Sequence, residues 1–158
     1  MNDINFRILS SSLLALIGWA GAARGADIAV TGNWWQTVNQ ADLISGAGSD
    51  IRTPIESSTV QTTLDISNTL GGSWTVVARQ SDISWPAGVS LAVKRTTDGS
   101  GDGTISGGTT YVTLTPNDQI LLSGSGDRAG IQLQLETNGL SVSHGLGNYT
   151  LNIIYTLQ

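Results

Sequence analysis

From Ile28 onward, apolar and polar residues alternate with a period of two along most of the chain. Successive side chains of an extended backbone point to opposite faces, so this rhythm predicts strands with one face in a core and one in water. The first predicted strand runs from Ile28 to Val38, with Ile28, Val30, Gly32, Trp34 and Val38 on one face. Thr59–Ser67 follows, where Val60, Thr62, Leu64 and Ile66 alternate, and then Trp74–Arg79. Val89, Leu91 and Val93 mark a fourth strand, Thr110–Thr115 a fifth and Gln119–Ser123 a sixth. Ile131, Leu133 and Leu135 then alternate with Gln132, Gln134 and Glu136, giving a core face and a wet face. Tyr149, Leu151, Ile153, Tyr155 and Leu157 form a long last strand.

Between these segments stand turn formers: Trp85-Pro86-Ala87-Gly88, Pro116-Asn117-Asp118 and Asn138-Gly139. Proline presets φ for a turn, and Asn-Gly tolerates the left-handed backbone of tight hairpins. No window carries helical periodicity. About seven to eight strands with short connections predict a single all-β domain, an antiparallel β-sandwich of immunoglobulin-like layout.

Ahead of that domain the pattern changes. Arg7 is followed by a largely apolar run from Ile8 through Leu13, Leu14, Leu16, Ile17 and Trp19, and then by the small residues Ala20, Gly21, Ala22 and Ala23. This is the layout of a secretory signal peptide over residues 1–25, with cleavage after Gly25, or nearly as well after Ala23, and residues 26–158 as the mature domain; an uncleaved anchor is the competing reading. The run is shorter than the ~20 residues of a membrane span, so the mature chain is expected to carry none.

Composition narrows the function classes. Charged residues are 12% of the chain, the net charge is −5 and the pI is near 4.4. Nucleic acids and anionic membranes require clustered Lys and Arg, so neither is an expected partner. An exported chain is free to form disulfides, yet this one has no cysteine. Packing, strand pairing, a bound cation or a neighbouring subunit must supply what disulfides supply elsewhere.

The chemistry of catalysis is thin. His144 is the one histidine, in Val142-Ser143-His144-Gly145, with no nucleophile elbow anywhere. Glu136 and Asp127 are the carboxylates that could be imagined as a glycosidase pair, but Glu136 shares the solvent parity of Gln132 and Gln134. The chain is therefore not expected to be an enzyme. Asp98-Gly99-Ser100-Gly101-Asp102-Gly103-Thr104-Ile105 resembles the first half of a calcium loop, with oxygen side chains at alternate positions. Asp98, Ser100 and Asp102 are the candidate ligands. Thr109 stands where such a loop places its bidentate Glu, and a flexible hairpin loop is the competing reading. Trp34 and Trp35 must face opposite sides of one strand, so one of the rings is a candidate platform for a glycan.

The two chain ends offer another chemistry. Ile28–Val38 opens the mature domain as a bare alternating strand, and the Gly/Ser/Ala-rich loop Ser45–Ser49 would let it leave the body. Burying Ile28, Val30, Trp34 and Val38 in a neighbour would contribute about 1.5–3 kcal/mol each. Strand addition of this kind is head-to-tail and generates a fibre. The alternative is pairing within its own subunit. The leader, the N-terminal strand with Gly32 at an inward position, and the C-terminal Gly147-Asn148-Tyr149…Tyr155 strand together resemble bacterial pilin subunits of the spore coat protein U and archaic chaperone–usher type. That resemblance implies a pilin-like sandwich whose N-terminal strand, with Ile28, Val30, Gly32, Trp34 and Val38 as its assembly residues, completes the next subunit. It further implies a secreted or cell-surface structural and adhesive role in a homopolymer. Members of that family usually carry a disulfide, and this chain has none. A second expectation, from a different class, is a monomeric extracellular module that binds a glycan or another surface ligand and is stabilised by calcium.

Overall fold

The pairing of alternating segments closes two sheets around a single apolar core. The computed structural model describes residues 4–13, 25–81 and 84–158, and within the first stretch the side chains of Arg7 and Ile8 only. Twelve strands lie among the described residues: β1 (Ile4–Leu13), β2 (Asp27–Thr31), β3 (Asn33–Val38), β4 (Ile55–Glu56), β5 (Thr62–Ser67), β6 (Ser73–Ser81), β7 (Ser90–Arg95), β8 (Ile105–Ser106), β9 (Val112–Thr113), β10 (Gln119–Ser125), β11 (Arg128–Asn138) and β12 (Asn148–Leu157). One sheet runs β3-β1-β12-β6-β10-β8 and the other β2-β5-β11-β7-β9, with β4 also on β11. Two one-turn 3-10 segments, Gln40–Asp42 and Val142–His144, are the helical elements among these residues. The chain is all-β and two-sheeted, as the period-two pattern predicts.

The core draws on both inner faces: Leu64 and Ile66 of β5, Leu91 and Val93 of β7, Ile131, Leu133 and Leu135 of β11, and Leu151, Ile153 and Tyr155 of β12 are all buried. Each is spaced by two within its strand, so one face of each strand supplies the hydrophobic contact.

The strand count exceeds the expected seven to eight for four local reasons. Residues 4–13 add β1. The strand expected over Ile28–Val38 breaks at Gly32 into β2 and β3, which belong to different sheets. Finally, β4 and β8 are two-residue pairings too short to leave a periodic trace. Gly32 has φ +124, and a side chain there would overlap the Gln61 carbonyl oxygen and press on Thr62 Cα. A left-handed backbone and a close approach coincide at this residue, and both call for glycine. The inward parity was read correctly, since Ile28, Trp34 and Val38 are buried and Val30 packs against the core, but those residues are shared between two sheets. The antiparallel rule also has one exception. Every strand pair is antiparallel except β1 with β12, which run parallel.

Among the described residues, Ile4–Leu13 of the predicted leader joins the first sheet as β1. The rest of the predicted leader, including Leu14, Leu16, Ile17, Trp19 and the Ala20–Ala23 cluster, lies outside the described residues. No helix among the described residues is long and apolar enough to cross a membrane.

Candidate functional site

The first sheet owes its continuity to β1. This strand sits between β3 and β12, matching β12 from Asn5↔Asn148 to Leu13↔Thr156 and β3 from Ile4↔Val38 to Leu9↔Asn33. On its inner face Ile8 lies in one row with Trp34 on one side and Leu151 on the other. Ile8 is 0% exposed, and its burial contributes about 1.5–3 kcal/mol. On the outer face the next row is Trp35, Arg7 and Thr150. Trp35 is 61% exposed, and the Arg7 guanidinium lies 5.8 Å from its ring centroid, an exposed cation–π contact of about 0.5–1 kcal/mol.

What matters is how β3 is held. Among the described residues its one strand partner in the sheet is β1. Without β1, β3 and one edge of β12 would both lose a ladder. Between them would run a slot one strand wide, bordered by Trp34 and Val38 of β3 and by Leu151, Ile153 and Tyr155 of β12. In this chain that strand position is filled by β1.

Of the predicted assembly residues, Ile28 and Val30 lie on β2, where they pair with Ile66 and Leu64 of β5. Gly32 makes the sheet switch, and Trp34 and Val38 form a wall of the slot on β3. Within this chain the Ile28–Val38 segment is part of the body. The loop behind it is also tied down. Leu43 bridges Ile51, the Ile44 N–H donates to the Asp50 carbonyl, and the Ser49 hydroxyl donates to the Gly46 carbonyl.

The candidate calcium loop is organised otherwise than its motif suggests. Asp98 accepts from the Arg95 guanidinium, whose Nε also donates to the Gly107 carbonyl at 2.9 Å. Ser100 exchanges two backbone hydrogen bonds of 2.8 Å with Ala129. Asp102 lies at a shallow cavity beside Asn68, Leu70 and Asp127. Gly99, Gly101 and Gly103 all have positive φ, and each presses its backbone against residues 125–131, where any Cβ would overlap a carbonyl oxygen. The loop is a flap docked on the backbone of residues 125–131. Among the described residues no group of three or more His, Cys, Asp or Glu is placed to hold a metal ion.

His144 takes part in a helix cap. Its Nδ1 accepts the Ser141 N–H at 3.2 Å, completing a capping box on the Val142–His144 turn. Glu136 and Asp127 stand nine residues apart along β11 and its approach, about 30 Å at strand rise and far beyond any carboxylate pair. Glu136 is instead directly opposite Glu56 of β4, with the Asn138 amide donating to Glu136 and the Tyr111 hydroxyl to Glu56. Hydrogen bonding to Glu56 and, above all, burial raise the Tyr111 pKa, and Lys94 Nζ lies 4.3 Å above its ring. A shallow outer groove on β6, β10 and β8 carries hydroxyls from Ser73, Thr75, Thr104, Ser106, Ser123 and Ser125, yet Trp74, its one lining aromatic, is buried.

Two carboxylates hold loops together and tie part of the fold's stability to pH. Asp50 accepts the Ile51 N–H at 2.8 Å and the Val142 N–H at 3.0 Å, which hold its pKa below the ordinary carboxylate value. Asp127 accepts the Thr69 hydroxyl at 2.6 Å and the Thr69 N–H at 2.9 Å, with the same effect. A folded pKa below the unfolded one gives stability that is complete above the unfolded value and lost as pH falls through the folded value. The melting temperature is expected to fall on acidification below about pH 4. Asp50→Asn combined with Asp127→Asn should flatten that limb in thermal melts. A double variant with an unchanged acid limb would contradict the assignment.

No protein-family model matches the chain, and no curated protein matches it.

Proposed function

We propose that this chain is an exported structural subunit whose mature β-sandwich, pilin-like in layout, assembles on the cell surface by β-strand complementation. The observation that carries this reading is the dependence of β3 on β1. Once residues 1–25 are removed, residues 26–158 keep both walls of the slot and lack the strand between them. Exposed ladder edges and the apolar faces of Trp34, Val38, Leu151, Ile153 and Tyr155 then favour any extended segment that restores the sheet. A segment from another copy does so without closing on itself, which makes a fibre.

The sequence pattern nominated Ile28–Val38 as the donated strand. In a donor copy that segment would have to leave both β5 and the slot's own wall. The slot itself is the firmer part of the reading. Trp35 is the exposed ring left for a sugar face, and it stands on β3 at the far end of the sheet from the hydroxyl groove on β6, β10 and β8, so glycan binding is the weaker alternative.

The processed chain, residues 26–158, is expected to run as a ladder of oligomers on size exclusion and to give filaments by electron microscopy. Ile153→Asp, which places a charge on the β12 wall of the slot, should abolish both. A discrete 26–158 monomer that melts at the temperature of the full chain would overturn the proposal.

A further inference from the structure

We infer that β1 is an internal plug: before processing, the chain's own segment Ile4–Leu13 occupies the slot between β3 and β12 and keeps the subunit unassembled. This rests on the assembly reading above and adds what regulates it. Three observations point the same way. The segment pairs on both edges at once, with nine register positions on β12 and six on β3, so no ladder edge is left open along the slot. Ile8 is completely buried in line with Trp34 and Leu151, so the plug fills the apolar row between the slot's walls as well as its rim. Its backbone also runs parallel to β12, the one such pairing in the described sheets.

The plug has a means of release. Residues 4–13 and residue 26 lie on opposite sides of the predicted cleavage position, so processing makes the plug a separate peptide. A strand held by a covalent tether rebinds far faster than a free one, because the tether keeps its local concentration high. Cutting it therefore turns a closed monomer into a body whose slot can exchange its strand for a neighbour's. In this view the leader address and the assembly lock are one segment, and a subunit cannot polymerise before it has been processed.

Lack of cysteine makes this directly testable, because any introduced pair is the only pair. Arg7 and Trp35 are opposite each other across β1 and β3, both exposed, at the separation of a direct antiparallel pair, about 4.5–5.5 Å between Cα atoms. That matches disulfide geometry. The full-length chain carrying Arg7→Cys and Trp35→Cys, with a sequence-specific protease site placed between residues 14 and 24, is oxidised, cut, and sized with and without reductant. The expected result is loss of both free thiols in the folded monomer, no oligomers after cutting while oxidised, and oligomers after reduction. Thiols that stay free in a folded monomer would overturn the plug, whatever the processed chain does on its own. A locked and cut chain that assembles as fast as the reduced one would also overturn it, while leaving strand complementation standing elsewhere. A lock that forms, followed by no assembly after reduction, would sink the assembly reading and leave β1 as a permanent strand. Should the double variant fail to fold, Ile8→Asp in the uncut chain is the second probe. It should expel the plug and yield oligomers without processing, and a monomer with an unchanged melting temperature counts against the inference.

Discussion

Gly124→Val is expected to lower the stability of the fold by about 4 kcal/mol, or roughly 8–16 °C in melting temperature for a chain of this size. Gly124 on β10 lies opposite Trp74 on β6. A Cβ at position 124 would stand 2.5 Å from Cζ2 and 2.6 Å from Cη2 of the Trp74 ring, and would overlap the Thr104 carbonyl oxygen as well. Neither neighbour can yield cheaply. The ring is 3% exposed, and its Nε1 donates to the Gly126 carbonyl at 2.8 Å. The oxygen belongs to a backbone that pairs with Ser125. Valine must therefore expel the indole, forfeiting a burial whose loss on truncation typically costs about 3–5 kcal/mol, or split β8 from β10. Thermal melts combined with tryptophan fluorescence check the result: a lower midpoint and a red-shifted emission are expected. Gly124→Ala should act in the same direction and more weakly. A valine variant with wild-type midpoint and emission would show that the Trp74 pocket is not rigid.

The second large effect is expected at Arg95. Arg95→Ala should cost about 3 kcal/mol, because it removes a buried cation that holds one end of the glycine flap to the other. The side chain is 6% exposed, and it joins the Gly107 carbonyl to the Asp98 carboxylate while its own backbone N–H donates to Gly108. Its loss leaves a void beneath the flap and an unsatisfied carbonyl. Asp98 is the opposite case. Its side chain is 66% exposed, so water replaces the guanidinium readily, and Asp98→Asn should cost less than about 1 kcal/mol. Arg95→Lys should recover little, since one ammonium on a flexible stem cannot reach both acceptors in the fixed geometry of the guanidinium fork. Urea midpoints give the energies, and amide hydrogen exchange over residues 98–108 locates them. Equal losses in Arg95→Ala and Asp98→Asn would refute the asymmetry.

Strand faces were the most legible part of the chain. Ile131, Leu133 and Leu135, and likewise Leu151, Ile153 and Tyr155, are buried at the predicted parity, because period-two alternation reports directly on a half-buried sheet. Gln134 departs from its predicted wet face. It is buried, and its amide donates to the Ser57 carbonyl at 2.9 Å. The cover comes from a segment 77 residues away, which no local pattern reports. Trp34 and Trp35 face inward and outward as their adjacency requires, with Trp34 inside at the parity it shares with Val38.

The candidate site was the least legible. Asn5-Phe6-Arg7-Ile8 does alternate polar with apolar, a strand signal in its own right, but the apolar run and small residues behind it speak of export first. The same residues satisfy both patterns, and choosing between them requires knowing that β3 and β12 need a strand between them. The packing of the glycine flap was hidden for a related reason. Oxygen-bearing residues alternating with glycines fit a cation loop, while the partner that explains the glycines is the backbone of residues 125–131, far along the chain. Gly32 was read at its inward position without its φ, and so the passage of the chain from one sheet to the other went unseen.

The direction of β1 has a mechanical consequence. With the two end strands side by side and parallel, a pull on the chain at Ile4 and at Leu157 acts along their shared ladder. Its hydrogen bonds are then loaded together in shear, and cannot be opened one after another as in a zipper. A strand of the same polarity seated there by a neighbour would inherit that loading, so tension along such a thread would meet its resistance at the junctions between subunits.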